Sequence, residues 1–205
     1  MENKHIIINV GRQLGSGGHD IARMLAHDFK AKYYDKEILN LAAKESGFSE
    51  KIFEQNDEKK GFIRGLFNMT TPHVSGAYES GFSQENLFKF QSDAIRKAAE
   101  KGSCVFVGRC ADYVLRDFEN VVNIFITASM HDRVQQILNK QNVTPPEAKH
   151  MILQAEGKRA AYYNYYTGKK WGHAESYDLC VNTSILGMEE TEKMIADFIR
   201  KKFNL

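Results

Sequence analysis

The sequence predicts an α/β three-layer sandwich built on a mainly parallel, five-stranded sheet. Short apolar runs at residues 6–8, 103–107 and 121–126 have the continuous character of strands buried on both faces. Helical periodicity fills the intervals between them. The first run also ends in a glycine-rich turn, with Gly11, Gly15, Gly17 and Gly18 ahead of an amphipathic pattern through Ile21, Ala22, Leu25 and Phe29.

Taken in order, Ile6, Ile7 and Ile8 form the first strand, and the helix after the glycines follows. Residues 30–35 read as a second strand ending in Asp35, with another helix from Lys36 to a stop near Gly47. Residues 48–83 lose clean periodicity and read as a small, mostly helical, mobile insert within a single domain spanning residues 1–205. Helical character resumes over residues 84–101, with Leu87, Phe88, Ala94, Ile95 and Ala98 toward the core. The strand of residues 103–107 runs into Gly108-Arg109, and the strand of residues 121–126 leads to a helix near residues 131–140. Pro145-Pro146-Glu147 start one helix and Gly168 ends the next, so residues 145–176 read as a flap made of more than one helical piece. A short strand at residues 179–181 and a helix containing Glu192, Met194, Ile195 and Phe198 complete the chain.

A strand, a glycine turn and a helix together make a phosphate cradle, because the first N–H groups of a helix have no carbonyl partner within it. The usual phosphate loop is G-x-x-x-x-G-K-[ST]. With Gly17 in the second glycine position, the first falls on Arg12, the lysine position on Gly18 and the hydroxyl position on His19. Phosphate contact is thereby assigned to Gly15, Ser16, Gly17, Gly18 and His19, and the missing positive charge must come from elsewhere. Arg12 is the local substitute, and Lys158 and Arg159 are the distant ones. Asp35 and Arg109 sit at strand carboxyl ends, which face the ligand crevice of open α/β sheets. Asp35 has helix N-cap as a rival role, and Arg109 has a surface pair with Asp112. On a helix, Arg159, Tyr162, Tyr163 and Tyr166 are neighbours by three- and four-residue spacing.

With 42% hydrophobic and 26% charged residues in 205, the chain can bury a sizeable core. A formal net charge of +2 is too small to indicate a nucleic-acid polymer or a membrane as partner. No apolar run has membrane-spanning length, and no hydrophobic export segment follows the first charges, so a cytoplasmic protein is expected. The three cysteines, Cys104, Cys110 and Cys180, then read as free thiols. The seven histidines show no metal-ligand spacing, and no metal-ligating residue is assigned.

Together these segments resemble the cytidylate-kinase-like family, relatives of bacterial cytidylate kinases among the P-loop nucleoside monophosphate kinases. The resemblance rests on residues 11–18, 33–38, 107–109, 124–129, 158–163, 165–171 and 177–184. It implies a P-loop kinase-like core with a monophosphate-binding insert and a basic lid, ATP as donor, Mg²⁺ on the donor phosphates, and a small nucleotide as partner. The implied reaction moves the γ-phosphoryl group of ATP to a nucleoside monophosphate, CMP or dCMP. It implies ATP at Gly15 to Gly18, acceptor at Asp35 and Arg109, and lid cations at Arg159 and Lys158. Cys110 stands where the cytidylate-kinase pattern has an aspartate. Two other functions use the same features: a non-catalytic nucleotide-binding regulator, and an ATP-dependent kinase of another small metabolite. Oligomeric state is not encoded in any of these patterns.

Overall fold

Strand β1 (Ile7–Arg12) lies at the centre of a sheet whose order is β2-β3-β1-β4-β5, with β2 at Lys32–Tyr34, β3 at Cys104–Val107, β4 at Val121–Thr127 and β5 at Leu179–Asn182. Every ladder among the described residues is parallel: Val10 is in register with Val107 on one side and with Ile124 on the other. The computed structural model describes residues 5–35 and 84–205. The expected helix after Lys36 and the insert of residues 48–83 lie outside them.

The helices between the strands are α1 (Gly18–Asp28), α2 (Gln84–Lys101), α3 (Ala111–Val114), α4 (Met130–Leu138), α5 (Pro145–Thr167) and α6 (Thr183–Phe203). The chain forms two compact units, residues 1–35 with 98–205, and residues 36–97. In the second unit, α2 buries Gln91, Ser92, Ala94 and Ile95, and the Ser92 hydroxyl donates to Phe88 O at 2.7 Å.

Alternation along each strand assigns the two faces of the sheet. Ile6, Ile8, Val10, Val105, Val107, Val122, Ile124 and Ile126 form one core with Ile21, Ala22 and Leu25 of α1 and Ile195, Ala196 and Ile199 of α6. The alternate residues meet a different layer. There Tyr34 stacks on Phe106 with ring centroids 5.2 Å apart, and Phe125 packs against Trp171 and Tyr177 at 5.2 and 4.8 Å. Asn9 and Asn123, paired in register, join their side chains by a 2.9 Å hydrogen bond.

Helix α5 differs from the expected flap of separate pieces. It is one helix of 23 residues, opened by a Thr144/Glu147 capping box with proline in its first turn, and closed by Gly168 at φ 67°. Gly157 does not break it. A glycine inside a helix costs about 1 kcal/mol, which the packed first half of α5 offsets. Ala148 and Ile152 are fully buried with Ile137 of α4, beside Leu14, Val134 and Met151.

The three cysteines are free thiols. No helix among the described residues is long and apolar enough to cross a membrane.

Candidate functional site

The glycine turn joins β1 to α1 at the carboxyl edge of the sheet. Gln13 N–H still donates to Ile126 O, which continues the β1–β4 ladder by one bond. Gly15 then takes φ 81° and Gly17 takes φ 75°, the left-handed region that glycine enters at least cost. A Cβ at Gly15 would also lie 2.7 Å from Arg133 O, so that position is closed to any side chain. The helical ladder begins with Asp20 and Ile21, which both donate to Gly17 O; the N–H groups of Gly18 and His19 stand outside it.

The loop is held from below by groups distant in sequence. Ser16 is buried, its hydroxyl donating to Gln13 O at 3.0 Å, which ties the turn back on itself. Thr183 Oγ1 lies 3.0 Å from Ser16 O and 3.2 Å from Thr127 O, sharing its one hydrogen between the ends of β4 and the loop. Arg133 of α4, 3% exposed, donates from Nε to Leu14 O at 2.9 Å and pairs through Nη2 with Glu156 of α5.

Four of the predicted side chains, Arg12, Asp35, Arg109 and Arg159, come together above this cradle. Arg12 ends β1, and the absence of side chains on Gly18 and Gly108 makes room for it: a Cβ on either would lie 2.5 Å from an Arg12 atom. Its Nη2 is 3.1 Å from His19 Nε2 and 4.0 Å from Asp35 Oδ1, and its buried Nε has no acceptor among the described residues. Arg159 donates from Nη1 to Arg12 O at 2.9 Å, so a residue of α5 caps the end of β1. Arg109 acts electrostatically on both of the other arginines. Burial pushes the Arg12 guanidinium down to about 10, and the charge of Arg159 adds to that, with Asp35 opposing. Burial likewise lowers Arg159, with Glu156 opposing.

Arg109 is presented by an unusual turn. Gly108, Arg109 and Cys110 have φ 76°, 60° and 56°, three successive left-handed residues of which two carry side chains. Such backbone costs of order 1–3 kcal/mol per residue and persists only when its surroundings fix it. Here Tyr162 hydrogen-bonds Arg109, while next along α5 the Tyr163 hydroxyl donates to the buried Asp112 carboxylate at 2.6 Å. Asp112 therefore engages Tyr163 and anchors α3 to α5. Cys110 is 3% exposed and burial pushes its thiol up to about 12, so it is packing and no nucleophile.

Lys158 and His19 are placed differently from the others. Lys158 is half-buried on α5 and makes no ion pair or hydrogen bond among the described residues. His19 turns its ring along the protein surface of the site, toward Arg12, Tyr33 and Asp35. The N-cap role expected for Asp35 concerns residues 36 onward, which lie outside the described residues.

Arg133, Glu156 and Thr183 were not singled out from sequence. A signal for Glu156 exists. Ala148, Ile152, Glu156, Arg159 and Tyr163 fall on one face of α5 by three- and four-residue spacing, and that face is the buried one. A carboxylate on such a face needs a cationic partner.

The profile of the cytidylate kinase-like family matches residues 7–185. A cytidylate kinase of Staphylothermus marinus is 27% identical over 196 residues, covering 96% of this chain and 97% of its own. Among solved structures, an uncharacterized protein from Eubacterium ventriosum is 27% identical with a TM-score of 0.70, covering 95% of this chain and 98% of its own. The shikimate kinase of Bacteroides thetaiotaomicron shares the fold at 13% identity, with a TM-score of 0.53 and 98% and 100% coverage.

Proposed function

This chain belongs to the cytidylate kinase-like family, and on that premise we propose that it moves the γ-phosphoryl group of ATP to a nucleoside monophosphate, with CMP or dCMP as acceptor. The observation that carries the reading is the charge imbalance beside the glycine loop. Arg12 and Arg159 lie buried beside it and repel each other; Asp35 opposes that repulsion on both, and Glu156, which also opposes it on Arg159, is engaged by Arg133. Buried like charges repel unless an anion joins them. A polyphosphate laid on free helix N–H groups supplies that anion.

In this reading the donor β-phosphate rests on the N–H groups of residues 15–19, with Arg12 and Arg159 on its oxygens. Arg109 and Asp35 orient the acceptor, and residues 145–176, with Lys158, act as a lid. An acceptor phosphate oxygen attacks the γ-phosphorus in line, the bond to the β-bridging oxygen breaks, and ADP leaves. Alignment and neutralisation of charge supply most of the catalysis.

Mg²⁺ suits this chemistry as part of the donor, bound to ATP phosphates and water. The described residues do not fit a resident ion: position 19 offers imidazole nitrogen where a hard cation takes oxygen, and the Asp35 carboxylate is turned to Arg12 and His19. No cluster of three potential metal-ligating side chains occurs among them.

The test is ADP formation by the purified protein with ATP and a panel of nucleoside monophosphates and common hydroxylated or phosphorylated metabolites. Turnover highest with CMP or dCMP supports the proposal. A preference for a metabolite outside the nucleotides favours the small-molecule kinase reading, for which Cys110 in place of an acceptor-side carboxylate is the motive. Tight ATP binding without transfer favours a regulator, for which Gly18 in the lysine position is the motive.

A further inference from the structure

The histidine in the phosphate loop has both ring nitrogens engaged, and the partners dictate its chemical state. Nε2 lies 3.1 Å from Arg12 Nη2. A guanidinium has donors only, so Nε2 must accept and carries no proton. The ring proton is therefore on Nδ1, which donates to Tyr33 Oη at 3.1 Å with Asp35 Oδ2 at 3.5 Å. A doubly protonated ring would set an N–H against the Arg12 N–H and lose the bond.

We infer that His19 is a positioning residue: in its neutral Nδ1–H form it aims the Arg12 guanidinium over the glycine loop and couples it to Asp35 on the acceptor side. This rests on the phosphotransferase reading for its consequence, though not for its geometry. Without the imidazole, Arg12 keeps its repulsion from Arg159 and Arg109 and has Asp35 as its attractive partner. The guanidinium then closes the 4.0 Å gap to a full ion pair, withdrawing both residues from phosphate and acceptor. His19 thus takes over, by orientation, part of what the absent loop lysine does by charge.

Most of the groups facing His19 disfavour its protonation. Burial disfavours the imidazolium, as do Arg12 from β1, Arg159 from α5 and Arg23 from α1; Asp35, beyond β2, is the opposing charge, and Tyr33 of β2 is the neutral acceptor. The pKa is lowered from the ordinary imidazole value, so the working neutral form predominates at pH 7 and is lost as pH falls through that lowered value.

Two measurements on the whole protein test this. In ¹⁵N imidazole NMR at pH 7.5, His19 is expected as the Nδ1–H tautomer, titrating below pH ~6.5. Arg12→Met should raise that midpoint, because it removes a positive charge and a bond to the neutral form. A proton on Nε2, or a midpoint indifferent to Arg12→Met, overturns the inference whether or not the protein is a kinase. In kinetics, His19→Leu should lower kcat about tenfold with little change in KM, and His19→Gln, whose Oε1 still accepts from Arg12, should restore it to within about threefold. The acid limb of the wild-type profile should be absent from His19→Gln. Equal kcat for wild type and His19→Leu overturns the positioning role. If no acceptor is turned over, the phosphotransferase reading fails separately. ATP affinity then decides: His19→Leu weakened about fivefold and His19→Gln within about twofold supports the inference, and equal affinities overturn it.

Discussion

Arg133 and Arg12 serve the same glycine loop on different electrostatic terms. Arg133 reaches it from the contact of α4 with α5, where Ile137, Ala148 and Ile152 exclude water and Glu156 supplies a matching carboxylate. Arg12 reaches it from the end of β1, where its largest electrostatic neighbour after burial is the like charge of Arg159. Burial lowers both guanidinia. For Arg133 the leading electrostatic effect is attractive, whereas for Arg12 it is repulsive. The comparison separates a cation matched by a carboxylate from one set first against a like charge: removing the first leaves a buried opposite charge alone, and removing the second relieves repulsion.

The largest effect should follow from breaking the balanced side. Glu156→Ala leaves the 4% exposed Arg133 side chain charged and unpaired, at a cost of about 3 kcal/mol. For a chain of this size that lowers Tm by about 6–12 °C. The double variant Arg133→Met/Glu156→Ala should recover more than half of the loss in a thermal melt. A single-variant Tm equal to wild type would remove the distinction between the two arginines.

Next comes the loop that both arginines touch. Gly15→Ala introduces a Cβ 2.7 Å from Arg133 O at a backbone φ of 81°. A loss of about 2 kcal/mol in stability is expected, together with weaker ATP binding measured by calorimetry. A normal melt and normal affinity would show that the loop has an alternative path.

On the unbalanced side the sign of the stability change reverses for Arg12. Arg12→Ala and Arg159→Ala should each lower turnover at least about tenfold at saturating substrates, about 1.4 kcal/mol of transition-state stabilisation. The Tm of Arg12→Ala should be unchanged or higher, since it deletes one of a set of repelling charges, whereas Arg159→Ala also removes the bond to Arg12 O and the attraction to Glu156 and should lower Tm. Near-wild-type turnover for Arg12→Ala would sink its role as substitute for the loop lysine.

The finest distinction is within the arginine set. Arg109→Ala should raise KM for the monophosphate about fivefold, about 1 kcal/mol, with ATP affinity changed less than about twofold. Equal losses for both ligands would move Arg109 to the donor. Asp35→Asn should follow the acceptor-side pattern, and normal acceptor kinetics in that variant would take Asp35 out of the functional set.

Much of this arrangement is legible in local pattern. The five strands, the glycine turn, the helix behind it and the Gly-Arg turn all declare themselves within windows of a dozen residues, because side-chain periodicity and left-handed turns are local properties. So does the stripe of Arg159, Tyr162, Tyr163 and Tyr166 on one helix, in which Tyr162 and Tyr166 rings lie 4.7 Å apart. The unity of α5 was less legible. Pro145-Pro146-Glu147 and Gly168 mark a start and an end without showing that one helix joins them, and its first half is held by packing of Ala148 and Ile152 on α4.

The class of fold, the glycine turn between β1 and α1, the want of a lysine in it, and the supply of cations at Arg12, Arg109 and Arg159 are written in local sequence. Which cation is matched by a carboxylate and which meets a like charge first is settled by tertiary contacts. Arg133 and Leu14 are 119 residues apart, and Arg159 and Arg12 are 147 apart. Charge balance is a sum over neighbours in space, and chain topology brings them together with no trace in local spacing. The same holds for His19, which reads as a loop residue in sequence and becomes a neutral acceptor because β1 and β2 deliver a guanidinium to one ring nitrogen and a hydroxyl to the other.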